Sequence, residues 1–91
     1  MPYFATVIGT TVQKVERIEG WVMQDDQGIE VEQLGAEYLA RLYPGTTAAN
    51  YVMTHYPVGQ PDPFPRGKFA AIGDQWDGAT FTDPRGPGDD A

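Results

Sequence analysis

Cysteine and serine are both absent from this chain of 91 residues, and histidine occurs once, as His55. Without cysteine there is no disulfide framework, no thiolate metal site and no cysteine nucleophile; the redox compartment is left undetermined. Without serine a Ser-His-Asp triad is excluded. A single histidine rules out the several His or Cys ligands of a zinc centre, leaving only a carboxylate-dominated metal site to consider. Basic residues are scarce too: six Lys and Arg stand against 13 Asp and Glu, a formal net charge of −7. Proteins that bind nucleic acid neutralise phosphates with clustered Lys and Arg, and here Arg66 and Lys68 are the basic pair at close spacing. The balance therefore argues against direct contact with DNA or RNA and against an anionic membrane surface. Net charge by itself keeps a protein soluble; an acidic surface that imitates DNA to occupy a basic protein is the other reading of the same numbers. The opening MPYFATVIGTT lacks a basic segment followed by an apolar run, and no stretch approaches the ~18–20 apolar residues of a membrane span. The expectation is a soluble protein of the cell that makes it, or a part of a particle assembled there.

What is present is enough for one small domain. A core of that size is modest, which favours a partner or a self-assembly contact. From Tyr3 to about Met23 the chain is rich in β-branched and aromatic residues, with Gly9-Thr10-Thr11 as a break. That pattern predicts a β-hairpin. On its second strand neither face is cleanly apolar, and Trp21-Val22-Met23 either extends the strand or packs onto the hairpin. Asp25-Asp26-Gln27-Gly28 then offers a turn and an Asx-type N-cap. Ile29, Val31, Leu34, Tyr38, Leu39 and Leu42 follow, most of them on one face of a 3.6-residue period. The acids Asp25, Asp26, Glu30, Glu32 and Glu37 come early and Arg41 late, as the helix dipole prefers. Pro44-Gly45 stops the helix, and Gly35 inside it implies a close approach to a strand.

Asn50 to Tyr56 alternates, with Tyr51, Met53 and His55 expected on one face and Val52, Thr54 and Tyr56 on the other. Four prolines between positions 57 and 65 forbid a helix or an interior strand there. Lys68 to Trp76 is expected to form a strand that returns through Asp77-Gly78, the strongest short hairpin signal in the chain, to Ala79–Thr82. The fold class is α+β: a small antiparallel sheet of about four to five strands with one packed helix, spanning residues 1–82. Residues 83–91, DPRGPGDDA, are expected to be a flexible, disordered acidic tail.

Few constellations carry chemistry. His55, beside Tyr51 and Met53, reads first as a half-buried structural residue. Asp74, Asp77 and Gly78 suggest a calcium loop only superficially, because Trp76 interrupts the pattern and no Glu follows Glu37. No Walker or GxGxxG loop occurs. Catalytic, cofactor and metal residues are therefore expected to be none. Aromatics remain: Tyr56, Phe64, Trp76 and Phe81 surround the proline loop and the last hairpin. With Pro63, Pro65 and Arg66 they form the candidate partner-binding set, since such side chains anchor interfaces. Trp76 and Phe81 have core packing as their alternative role, and Phe64 has that of an anchor tucked under the loop.

The order of these features resembles a group of short virion-associated proteins of tailed bacteriophages. The resemblance is carried by Tyr3-Phe4-Ala5-Thr6-Val7 with Gly9 and Val12, by Leu42-Tyr43-Pro44-Gly45, and by Tyr51 to Tyr56. It is carried furthest by Lys68-Phe69-Ala70-Ala71-Ile72-Gly73-Asp74-Gln75-Trp76-Asp77 followed by Phe81-Thr82-Asp83-Pro84. It covers most of residues 3–84. Ala71 stands where the group has a Gly, Asp74 where it has an aromatic, and the loop at 57–66 is richer in proline. The resemblance implies a non-enzymatic structural or accessory component of a phage particle, on the capsid, tail or fibre. Its partners would be other virion proteins or copies of itself, with no nucleic acid, membrane or cofactor, and its place the virion. The alternative is a small acidic inhibitor or host-takeover protein that uses Glu30, Glu32 and Glu37 against a basic host surface. A third option is a sugar-binding module built on Trp76 and the tyrosines.

Overall fold

A computed structural model describes residues 2–56 and 64–84. The hairpin forms where turn chemistry predicts it: β1 (Tyr3–Ile8) and β2 (Thr11–Arg17) pair antiparallel around the Gly9-Thr10 turn. β3 (Tyr51–His55) lies on the other side of β1, and the two-residue strands β4 (Gln75–Trp76) and β5 (Phe81–Thr82) complete the order β3-β1-β2-β4-β5, antiparallel throughout. Asp77-Gly78 is the hairpin turn between β4 and β5. Gly78 has φ +97°, which L side chains rarely adopt, and Asp77 Oδ1 accepts the N–H groups of Ala79 and Thr80.

β1 runs through the middle of two half-cores. Phe4, Ala5, Thr6 and Val7 are all buried, although they point alternately to opposite faces. On one face Phe4 packs with Ile18, Met23, Ala36, Leu39, Tyr51 and Met53, beneath helix α1 (Glu32–Leu42). On the other, Ala5 and Val7 pack with Val12, Val52, Ala70 and Phe81. The second face is covered by residues 64–74, which cross the sheet as a strap. The sheet is thus an interior layer, and the α+β architecture with one packed helix is as the sequence predicts.

Three local expectations are corrected. The segment Lys68–Ile72 is not a strand. It satisfies its backbone by other means: buried Thr54 donates its hydroxyl to the Lys68 carbonyl and accepts the Ala70 N–H, and Ala71–Asp74 closes into a turn. Only Gly73 and Asp74 reach β2, each through one backbone bond with Val12. The helix starts at Glu32, not at the acidic turn. Asp25 does make an Asx turn, accepting the N–H groups of Gln27 and Ile29, but Gln24 and Glu30 then form an antiparallel bridge that holds the chain extended as far as Val31. Ile29 is consequently exposed, Leu42 at the far end of the helix is exposed as well, and the helix buries Gly35, Ala36 and Leu39. Trp21-Val22-Met23 forms a 3₁₀ turn (Gly20–Met23) that sends Met23 into the helix-side core and leaves Trp21 out.

The third correction concerns His55. Tyr3 pairs with His55 but Phe4 pairs with Met53, so Thr54 is the extra residue of a β-bulge. The bulge reverses the alternation at the end of β3. Tyr51 and Met53 face the helix and Val52 and Thr54 face the strap, as expected, but His55 joins the strap side and Tyr56 packs on the helix side. The 83–91 expectation falls on residues that, beyond Asp83 and Pro84, lie outside the described part of the chain.

Candidate interaction surface

The predicted contact residues separate into two places. Tyr56, Phe64, Pro65 and Arg66 gather at the end of β3, near the residues that lead into α1. Trp76 and Phe81 lie across the sheet on β4 and β5, with ring centroids 4.7 Å apart. Phe81 is 3 % exposed, within the strap-side core, and Trp76 packs half-buried against that core. Phe81 therefore offers no surface to a partner, and its role is packing. Pro63 lies outside the described residues.

Around the end of β3, ordered polar contacts join three elements. Glu32, in the first turn of α1, accepts the Met53 N–H at 3.0 Å through Oε2 and pairs with Arg66 Nη2 at 2.6 Å through Oε1. One carboxylate thus ties the helix, the outer edge of β3 and the strap together. Charged hydrogen bonds of this kind are shorter and stronger than neutral ones. Glu30 Oε1 accepts the Tyr56 hydroxyl at 2.7 Å. That hydrogen bond to a carboxylate, with some burial, raises the phenol above its ordinary value.

Beneath these contacts lies a cluster of four rings. His55 sits 5.1 Å from Phe69, 5.2 Å from Phe64 and 5.6 Å from Tyr3, and Tyr3 sits 5.0 Å from Phe69. His55 Nδ1 is buried there with no hydrogen-bond partner among the described residues. The cluster fastens the strap to the sheet through ring contacts of the tilted kind that aromatic pairs prefer. Phe69 remains 39 % exposed, and Ile72, further along the strap, is 73 % exposed. The strap therefore buries Ala70, holds Phe69 partly covered in the ring cluster and turns Ile72 outward.

Sequence reasoning missed Tyr3, Phe69, Glu30 and Glu32 as members of this surface. Tyr3 and Phe69 are 66 positions apart, and only the bulge and the strap crossing bring them together. Elsewhere, Lys14 Nζ stands 3.8 Å over the Tyr43 ring and 3.2 Å from Glu16. Its hydrogen bond with Tyr43, and then Glu16, hold the ammonium above its ordinary value despite opposing desolvation. Among the described residues no group of three His, Asp or Glu is arranged to hold a metal ion, and no helix is long and apolar enough to cross a membrane. Compared with known protein families, curated proteins and solved structures, the chain matches none of them.

Proposed function

We propose that the chain is a non-enzymatic accessory protein of a tailed-phage particle, on its capsid, tail or fibre, that works by contact with other virion proteins or with copies of itself. The observation that carries the contact role is the apolar surface the strap leaves uncovered. Ile72 stands exposed, and Phe69 leaves part of its ring uncovered, on a segment whose inner side is held by Thr54 and by the four-ring cluster to which Phe69 itself belongs. Apolar side chains held on a firm surface are what an interface needs, because little further ordering is lost on binding. The phage placement draws its support from the order of motifs along residues 3–84.

The rival reading, an acidic decoy for a basic host protein, needs free carboxylates. Glu30 and Glu32 are engaged within the chain by Tyr56 and by Arg66 and Met53, and Glu37 accepts a bond from Gln33. Those bonds favour the contact reading over the decoy. Mass spectrometry of purified particles tests the proposal. The chain is expected among the virion proteins, in many copies if it belongs to a shell or tube and few if it belongs to a vertex, fibre or baseplate. Its absence from particles overturns the reading.

A further inference from the structure

A strand at the edge of a sheet presents a row of unpaired N–H and C=O groups. β3 is guarded at its outer edge by Glu32, which takes the Met53 N–H. β2 has no such guard along most of its length. Backbone groups alternate sides along a strand. Ile18 donates its N–H to the Pro2 carbonyl, toward β1, so Glu16 faces β1 as well, and Val15 and Arg17 face away. On that outer side β4 pairs with β2 at Thr11, and Val12 bonds with Gly73 and Asp74. The turn Ala71–Asp74 then carries the chain away from the edge. Along residues 13–17 no described strand flanks the outer edge of β2. The N–H and C=O groups of Val15 and Arg17 have no hydrogen-bond partner among the described residues.

The side chains of this stretch select the occupant. Lys14 and Glu16 lie on one face of β2, both against Tyr43. Let a second copy's β2 run antiparallel along the edge with Val15 opposite Val15. The two valines then exchange both backbone bonds, and Lys14 of each copy stands opposite Glu16 of the other. Sliding by two residues is the smallest step that keeps outward groups facing one another. It sets Lys14 opposite Lys14 in one direction and Glu16 opposite Glu16 in the other. Opposite charges across strands stabilise the pair, and like charges directly opposite destabilise it. One register is favoured and both its neighbours are penalised, so the edge is complementary to itself. We propose that the open edge of β2 binds a second copy of this chain, joining two five-stranded sheets into one about a two-fold axis. Each copy carries a net charge of −7, so the pairing works against an overall repulsion, and the dimer is expected to dissociate on dilution. This deepens the contact reading by making the partner a second copy, and rests on that reading for a role in a particle.

Sedimentation equilibrium of the full chain is expected to show monomer and dimer in exchange at concentrations up to about 1 mM. In hydrogen exchange followed by NMR, the Val15 and Arg17 amides should be open in the monomer and gain protection as the dimer fills, with Met53 unchanged. Lys14→Glu and Glu16→Lys each set two like-charged pairs across the dimer, and each alone should weaken it at least about fivefold. Mixed in equal amounts, the two variants restore opposite charges at both pairs, and a heterodimer should form at close to the original strength. Both residues also touch Tyr43, so the amide spectrum away from β2 checks each variant's fold. Should either variant fail that check, protection of Val15 and Arg17 in the unaltered chain decides the matter. Monomer at every concentration, a dimer that leaves those two amides open, or no recovery when folded variants are mixed overturns the pairing. Protection already complete in the monomer would put a segment of the same chain on the edge and overturns the second copy. None of these measurements needs particles: a dimer of this kind with the chain missing from virions refutes the phage placement alone, while a monomer with the chain present in virions refutes the pairing alone.

Discussion

Gly35 is subject to two opposing effects. Helix propensity favours Ala over Gly by about 1 kcal/mol at an interior position. Yet a Cβ at Gly35 would stand 2.7 Å from Phe4 Cζ, 3.1 Å from Phe4 Cε1 and 3.2 Å from Ile18 Cδ1. Phe4 is fully buried, and a close-packed ring has little room to retreat. Overpacking therefore outweighs propensity, and Gly35→Ala is expected to lower stability by a net ~1–2 kcal/mol in urea denaturation. A more stable variant would show that the helix can lift off the sheet without cost. The residue signalled itself in the sequence as a helix-interior glycine, which implied a close approach. Which side chains approach it was not legible, because Phe4 and Ile18 come from a different element.

At the scale of elements, the helix, β3 and the strap are held at one junction by Glu32. Glu32→Ala removes both the bond to the Met53 N–H and the pair with Arg66, and is expected to cost about 2 kcal/mol. Arg66→Ala removes the pair alone. Its partners are 28 % and 29 % exposed, so solvent screens them, and about 0.5–1 kcal/mol is expected. Urea denaturation checks the ranking. Hydrogen exchange separates the two roles: the Met53 amide should exchange faster in Glu32→Ala and remain protected in Arg66→Ala. Equal protection in both would mean that Glu32 does not guard the edge of β3. In the sequence, Glu32 looked like one of several dipole-complementing acids, and nothing local distinguished it from Glu37. Its second role depends on β3 running alongside the first helical turn.

For the whole molecule, pH reports how these junctions act together. The phenol of Tyr56 is raised above its ordinary value of 10.0 by the Glu30 hydrogen bond first and by burial second. A group whose folded value is raised contributes stability that is complete below its unfolded value and lost as pH rises through the folded one. Melting temperature should accordingly fall above about pH 10, and the fall should be shallower in Tyr56→Phe. Asp77 acts at the other limb. The Thr80 and Ala79 N–H groups hold its carboxyl below the ordinary 3.8, so its contribution is present above that value and lost as pH falls through the lowered one. Asp77→Asn should flatten the acid limb of the same thermal profile, and an unchanged limb would remove the turn from the account of acid unfolding.

What the sequence by itself determined is local. The first hairpin, the Asp77-Gly78 turn and the helix stop after Leu42 follow from residues within a few positions of one another, because turn conformations and strand or helix periods are short-range properties. What only the tertiary structure decided is where distant segments meet. The extended start at Ile29 to Val31 is set by the Gln24–Glu30 bridge and by the Val31 N–H on the Met23 carbonyl. The strap at 68–72 bonds to a threonine side chain in place of a strand, and the bulge at Thr54 turns His55 to the opposite face. Tyr56, Phe64 and Arg66 were legible as a contact set because the proline loop held them close in sequence. Phe81 went to the core and Tyr3 and Phe69 to the ring cluster for a reason no local pattern contains: burial is allotted by packing across the whole sheet.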